Sequence, residues 1–498
     1  MGFFTLASFL AGNAVMALVM RGAPMVATAH AVVTLLVGFW LASSGHSLHR
    51  VAYVAAYVVG AEVLWRMSDA ATFYEQGKYA VVAIFVVALL RNGRLRPPAA
   101  YLGCFALLLP SVMLTLSAET TEEARQQLSF NLSGPLTLFV CAWFFWFVRL
   151  TSTERYYLFL ALLGPVFGLA IVTLTSTMSR QEIAFGIQSN FATSAGFGPN
   201  QVSAMLGLGA LIAFLIVMER GLGRGTRLLM IAMTLFLGAQ SALTFSRGGL
   251  YAAGGAVVLA SLYLMRDVRT RVTLVPVVGV LILAVHYFLF PYLNAFTGGA
   301  LSERFHDTDL TSRDELIRAD LDIWRDNPLL GVGPGESRNY RTVYKLVRVQ
   351  QIARPDPTGR ARFTLRGQER AVESHTEFSR LLSEHGLFGL GSLVFLMVCA
   401  IRSLRMPRPA HEQAVAIAMI AWSVLFMSSN AMRLAAPSFM FAVPLTTAAA
   451  MATVRARRIV GAARSATRPL AAPDEGAAAL DRDVEPTRRR RWGVTATR

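Results

Sequence analysis

The sequence predicts an all-α, polytopic membrane protein of about twelve to fourteen transmembrane helices, with one large loop that carries short helices. Three observations lead there. Of 498 residues, 54% are hydrophobic and only 15% charged, where a soluble chain carries about a quarter charged residues. The apolar residues are bunched into runs near the ~20 residues that cross a bilayer as a helix. No run alternates with the period of a strand, so backbone amides in lipid must be satisfied inside helices.

In chain order the apolar runs fall near 3–20, 24–42, 51–66, 76–92, 99–117, 134–150, 156–176, 201–219, 226–245, 248–265, 272–291, 386–403, 412–429 and 436–453. The N-terminal MGFFTLASFL has no basic flank, so it reads as a first span and not as a cleaved signal. Four regions follow: N-terminal transmembrane helices over 1–291, a large loop over 292–385, C-terminal transmembrane helices over 386–453, and a tail over 454–498. The tail holds eleven arginines among Ala, Pro, Asp and Glu, a composition expected to be disordered.

Charge sets the sidedness. The net charge of +17 is accounted for by the excess of Lys and Arg on cytoplasmic loops, so no nucleic-acid partner is implied. A tail this basic belongs in the cytoplasm. Counting back places RNGRLRPP (91–98), RLTSTER (149–155), ERGLGRGTR (219–227), RDVRTR (266–271) and RSLRMPR (402–408) on the same side. The outer side receives AETTEEARQQ (118–127), the 177–200 loop and the long 292–385 segment, with the N-terminus cytoplasmic. The tail's Arg488–Arg491 cluster serves as a topology anchor and can touch anionic membrane lipids.

The long loop carries structural signals. SRDELIRADLDIW (312–324) opens with a capping pair, Ser312 and Glu315, and continues with Leu316, Ile317, Leu321 and Trp324 at helical spacing. This predicts an amphipathic helix, either packed on the bundle or lying on the membrane face. NPLLGVGPGESRN (327–339) ends it as a turn; no Gly-Lys-Ser/Thr follows, so it is not a phosphate-binding P-loop. Between Arg338 and Arg370, nine Lys or Arg face two acids, Asp356 and Glu369. On the outer side that excess is either simply solvated or meets an anion such as a lipid phosphate.

The loop ends in ESHTEFSRLLSEHGLFGL (373–390), with two histidines. His385 adjoins Gly386 at the start of a span and reads as part of the polar collar. His375 shares a helix side with Phe378, Leu381 and Leu382. Arg180, in TSTMSRQEIAFG, and Arg247, in the hairpin TFSRGGLY, both fall on the outer side; each either snorkels or binds an anion. Glu62, Arg66 and Lys78 cluster around the outer loop between the third and fourth spans, and Arg433 sits in a similar position. No metal site is expected. Asp307-Thr308-Asp309 is a short motif that recurs at Asp481 and Asp483, and His375-Thr376-Glu377 lacks a second ligand cluster. The three cysteines all lie in apolar runs.

Taken in order, Arg180 before GFGPNQVSAML (196–206), TFSRGG (244–249), SRDELIRADLDIWRDNPLLGVGPG (312–335) and SHTEFSRLLSEHGLFGL (374–390) resemble the bacterial O-antigen ligase and O-antigen polymerase superfamily, which includes exopolysaccharide polymerases. The resemblance covers roughly the C-terminal 60% of the chain; the first 150 residues match in hydropathy alone, with Lys78 a counterpart of a basic residue facing the site. It implies a fold related to the membrane-embedded GT-C glycosyltransferases, in the bacterial inner membrane, with the site at the periplasmic face. It implies a donor glycan on undecaprenyl diphosphate. The acceptor would be lipid A–core for a ligase, or another lipid-linked glycan for a polymerase. By the same resemblance Arg180 and Arg247 hold the diphosphate and His375 is the loop histidine near the acceptor. No cofactor is implied. The segment 338–373 matches no motif of the family.

The chemistry agrees with that assignment. A lipid diphosphate leaves once its charge is stabilised, which arginines can do. A sugar hydroxyl is a poor nucleophile, and a histidine titrating near neutral pH is a suitable general base. Displacement assisted by a base inverts the anomeric centre. A transporter or flippase for lipid-linked glycan is the rival class, which would place ionisable residues near the midplane and show internal repeats. A scaffold for polysaccharide assembly would leave His375, Arg180 and Arg247 dispensable.

Overall fold

A computed structural model describes residues 2–186, 188–219, 221–266, 268–307, 313–343, 354–355, 361–362 and 373–446. They belong to a compact unit, Met1–Ala452. The C-terminal tail, most of the basic 338–370 segment and Ser312 of the expected capping pair lie outside the described residues.

The chain is overwhelmingly helical. Among the described residues nine helices are long and apolar enough to cross a membrane, and the protein is a multi-pass, all-α membrane protein. The N-terminal half comprises α1 (Phe3–Gly22), α2 (Pro24–Ser43), α3 (Leu48–Met67), α4 (Gln76–Arg91), α5 (Ala99–Ala106), α6 (Val112–Ala118), α7 (Thr121–Phe147), α8 (Ser152–Met178) and α9 (Pro199–Val217). Then come α10 (Arg224–Leu243), α11 (Arg247–Leu264) and α12 (Val268–Ala284), the last continuing through a π-helical turn (Val285–Leu289) into α13 (Phe290–Phe296). The loop region carries α14 (Ala300–His306), α15 (Arg313–Asp326) and α16 (Ser337–Val343), and a two-residue ladder pairs Arg354–Pro355 with Ala361–Arg362. Helices α17 (Glu377–Arg405), α18 (Ala410–Ser429) and α19 (Ala436–Ala442) complete the described chain.

Small residues let these helices approach closely, as packing in lipid favours. A Cβ on Gly60 of α3 would overlap the backbone of Leu162 in α8, and one on Gly249 of α11 would overlap the backbone of Ser203 in α9. Between such contacts, aromatic side chains fill the centre: Phe85 stacks on Phe144 at 3.8 Å, with Phe145 and Phe439 against them.

Side-chain contacts sort the loops into two ends. At one end Arg155 and His411 converge on Glu219, His49 pairs with Glu154 at 2.9 Å, and Arg91 donates to the Ser43 carbonyl. This gathers the segments around 43–50, 149–155, 219 and 402–411. At the other end Arg21 donates to the Met67 and Ala195 carbonyls, and Arg66 to Gln201 and the Arg433 carbonyl. For these segments the grouping is the one read from charge.

Four local expectations change. The 99–117 run is not one helix: Pro110 lacks an amide donor and disfavours helix before it, so the chain breaks into α5 and α6. AETTEEARQQ is not loop throughout, because Thr120 caps α7, which begins at Thr121. Helix α15 packs on α17, buries Leu316, Ala319, Asp320 and Ile323, and leaves Ile317, Leu321 and Trp324 half-buried. The fourth concerns His385: it is no collar residue but fully buried, sharing a hydrogen bond of 2.5 Å with Ser111 through Nδ1.

His385 is buried because α17 is broken beside it. Gly386 adopts φ +59°, ψ −134°, a conformation that only glycine takes without strain. The freed carbonyls of Ser383 and Glu384 accept hydrogen bonds from the amides of Val332 and Gly333, and Leu387 N–H donates to the Pro328 carbonyl at 2.8 Å. The Gly-rich turn therefore threads the kink and supplies the partners that a broken helix requires at membrane depth. A Cβ on Gly386 would sit 2.6 Å from the Leu329 backbone.

Candidate functional site

Arg247 is the first residue of α11. Its backbone is fixed from α9: Ser203 Oγ donates to the Ser246 carbonyl at 2.7 Å, and Ser246 Oγ donates to Asn200 at 2.6 Å. The half-buried guanidinium donates to the carbonyls of Asp307 and Arg304. Arg304 is buried; it donates to the Phe245 carbonyl at 3.1 Å and pairs with Asp307 at 3.3 Å. Arg313, the first residue of α15, is held below the usual guanidinium range by burial and then by the charges of Arg247 and Arg304. Three guanidinia thus share one region. Arg247 and Arg313 also open their helices, where the macrodipole disfavours a cation by about 0.3–1 kcal/mol. Helix stability does not explain arginines there.

Arg313 also neighbours His375. Burial depresses the imidazole to about 4, and the guanidinia of Arg313, Arg433 and Arg341 add to the effect in that order. His375 is therefore neutral at neutral pH and keeps a ring nitrogen lone pair, but it titrates below the near-neutral range expected from sequence and is a weaker base than an ordinary imidazole. Its position is set by the preceding residue. Ser374 Oγ donates to Asp320 Oδ1 at 3.3 Å and accepts from Arg341, while the Ser374 carbonyl accepts from Arg433 at 3.1 Å. Asp320 is itself fully buried, accepting from Ser379 at 2.7 Å and pairing with Arg341.

Behind this loop stands a second charged layer. Arg380 is clamped by Glu377 and Glu384 at 2.5 and 2.8 Å. The linker between α18 and α19 is pinned from both sides: Glu377 accepts from Met432 N–H at 2.9 Å and Glu62 from Ala435 N–H at 2.8 Å. Glu62 also pairs with Arg66 at 2.5 Å, and Arg66 lies over the Tyr74 ring at 3.9 Å.

The structure thus brings together two of the residues singled out by sequence, His375 and Arg247, through their common neighbour Arg313. Lys78 is elsewhere: it is fully buried on α4, its Nζ has no hydrogen-bond partner among the described residues, and the charges around it are Glu62, Arg66, Glu75 and Arg380. Arg180 is exposed just past α8. The loop that follows Arg180 is tied to the Arg247 turn, with Asn190 N–H donating to the Thr244 carbonyl at 2.9 Å and Phe185 stacked on Phe245. Sequence reading passed over Arg304, Arg313 and Asp320. The two arginines were hidden in a helix read for its apolar spacing and in the short helix before it. For Arg313 the signal available was a cation at the start of a helix, where acids are preferred; Arg304 lies in the last turn of α14, where a cation is ordinary. Asp320 gave none, since a buried acid is announced only by its partners. Among the described residues no cluster of three or more His, Cys, Asp or Glu is placed to hold a metal ion.

Residues 228–394 match a family model described as O-antigen ligase. No curated protein matches the chain significantly. The matched segment contains Arg247, Arg304, Arg313, Asp320 and His375, and it supports membership of the O-antigen ligase and polymerase superfamily.

Proposed function

We propose that the protein is an inner-membrane, metal-independent glycan transferase that moves a polysaccharide or oligosaccharide from undecaprenyl diphosphate to an acceptor sugar hydroxyl at the periplasmic face. The observation that carries this reading is the shared neighbourhood of His375 and the Arg247–Arg304–Arg313 cluster, within the matched family segment. The acceptor hydroxyl loses its proton to the neutral His375 imidazole as its oxygen bonds to the anomeric carbon. The bond from that carbon to the diphosphate oxygen breaks, and the electron pair leaves on the diphosphate. Attack opposite the leaving group inverts the anomeric centre. Arg247 and Arg313 stabilise the developing charge, and Arg304 holds Arg247 by offering its carbonyl. Arg180, exposed at the same end, meets the donor as it enters. Lys78 lies behind the site among Glu62, Arg66, Glu75 and Arg380 and does not contact the donor in this scheme. The acceptor is lipid A–core, as in a ligase; a lipid-linked glycan would make the enzyme a polymerase. Both termini face the cytoplasm in this scheme.

The test is reconstitution of the full-length protein with undecaprenyl-diphosphate glycan and each acceptor. Transfer should fall at least about a hundredfold in His375→Ala, the contribution expected of a general base, and in Arg247→Ala. Full-rate transfer by either variant overturns the mechanism, and movement of the lipid-linked glycan across the bilayer without transfer points to a transporter.

A further inference from the structure

A cavity of about 940 Å³ opens beside the His375 loop, with Glu373 in its wall. This is the upper part of the range for small-molecule sites, about 300–1,000 Å³. Its walls combine four aromatic rings, Phe73, Tyr74, Tyr79 and Phe130, with planar and charged side chains that include Gln126, Gln127, Arg338 and Glu373. The rings are held in place: Tyr74 and Phe130 lie 5.6 Å apart, Arg433 lies over Phe130 at 5.0 Å, and Tyr79 shares a hydrogen bond with Ser129 at 3.1 Å. Arg433 joins the cavity to the base. The same guanidinium that covers Phe130 donates to the Ser374 carbonyl and pairs with Glu373 at 3.8 Å.

The lining selects among ligand classes. An acyl chain needs walls that are apolar throughout; here Leu128, Leu132 and the rings are interrupted by Glu75, Arg125, Arg338 and Glu373. A diphosphate needs net positive charge; here Glu75 and Glu373 offset Arg125 and Arg338. A pyranose presents a C–H face that packs on an aromatic ring and a rim of hydroxyls that both donate and accept. Rings alternating with amides, carboxylates and guanidinia suit that ligand. Glu373, two residues before His375, lines the cavity, and none of Arg247, Arg304 and Arg313 does, so a sugar here adjoins the His375 loop without occupying the arginine cluster.

We infer that this cavity is a saccharide subsite for the acceptor glycan, holding one of its sugars beside the loop that carries His375. The assignment rests on the transferase reading above. Its test uses the full-length protein in lipid nanodiscs. Phe130→Ala should raise the acceptor KM about tenfold, the upper range for one lost aromatic contact, and leave the donor KM unchanged. Phe73, 57% exposed, supplies a second variant, Phe73→Ala, that carries little packing and keeps the test valid if Phe130→Ala fails to fold. In parallel, saturation-transfer NMR measures binding of the oligosaccharides released by mild acid from the host's lipopolysaccharide. The signal should be present with wild type, lost with Phe73→Ala, and insensitive to inorganic pyrophosphate. Transfer with an unchanged acceptor KM in both folded variants overturns the subsite and leaves the transferase reading standing. A rise in donor KM alone also overturns it, since the cavity would then hold donor sugar. Saccharide binding lost in Phe73→Ala, with no transfer by wild type, supports a saccharide site while sinking the transferase reading.

Discussion

Replacing Arg313 with glutamine removes the charge that weighs most on His375 after burial itself. At an effective dielectric of about 20, a charge–charge interaction in a half-buried pair with solvent around it is on the order of 1–2 kcal/mol. An upward shift of about one pKa unit is expected, ~1.4 kcal/mol, from about 4 to about 5, because burial, Arg433 and Arg341 still act. The assay is the pH dependence of carbethoxylation of His375 by diethyl pyrocarbonate, read by peptide mass spectrometry in wild type and Arg313→Gln. Only the neutral imidazole reacts, so the midpoint reports its pKa. Transfer should fall in the same variant, since a better base has been obtained by losing a diphosphate partner. An unchanged midpoint, or one that moves down, refutes the shared neighbourhood of Arg313 and His375.

Three further outcomes are expected. Because kcat/KM reports the free enzyme and kcat the complex, the acid limb of kcat/KM for the donor should lie near pH 4, and that of kcat at higher pH, where bound diphosphate offsets the guanidinia and favours the imidazolium; coincident limbs would contradict this. Asp320→Asn keeps the shape but leaves the buried Arg341 without its carboxylate, a loss of about 3–5 kcal/mol that should lower the thermal unfolding temperature and slow transfer with little effect on donor KM. Gly386→Ala should abolish monodisperse folded protein on size-exclusion chromatography, since φ is +59° and the Leu329 backbone is 2.6 Å from the new Cβ, whereas Gly254→Ala, with open space around it, should be tolerated.

The membrane-helix class and the two-ended sorting of the loops were legible from hydropathy and charge because lipid forces both onto the sequence. Less legible were the places where tertiary partners override local pattern. The run at 99–117 looked continuous by hydropathy, yet Pro110 divides it and frees Ser111 and Thr115 to seat His385 and the Pro334 carbonyl. The GVGPG turn read as a helix stop; its three glycines, all at positive φ, in fact complete the broken α17. At the candidate site, His375 and Arg247 were conspicuous because neither has a local structural reason to be where it is. Arg313 was masked by the acids beside it, Asp314 and Glu315, which made a plausible helix start without it. Lys78 stood out as a charge in an apolar run, but the fold surrounds it with Glu62, Arg66, Glu75 and Arg380 and not with the His375 group.

The central claim is that one diphosphate site lies between the arginine cluster and His375. Cryo-electron microscopy of the full-length protein in nanodiscs with undecaprenyl diphosphate, the released product, tests it most directly. The account predicts diphosphate density within hydrogen-bond reach of Arg247 and Arg313 on the face of the cluster toward His375. Density confined to Arg180 or to the Lys78 network, with none at Arg247 and Arg313, would contradict it.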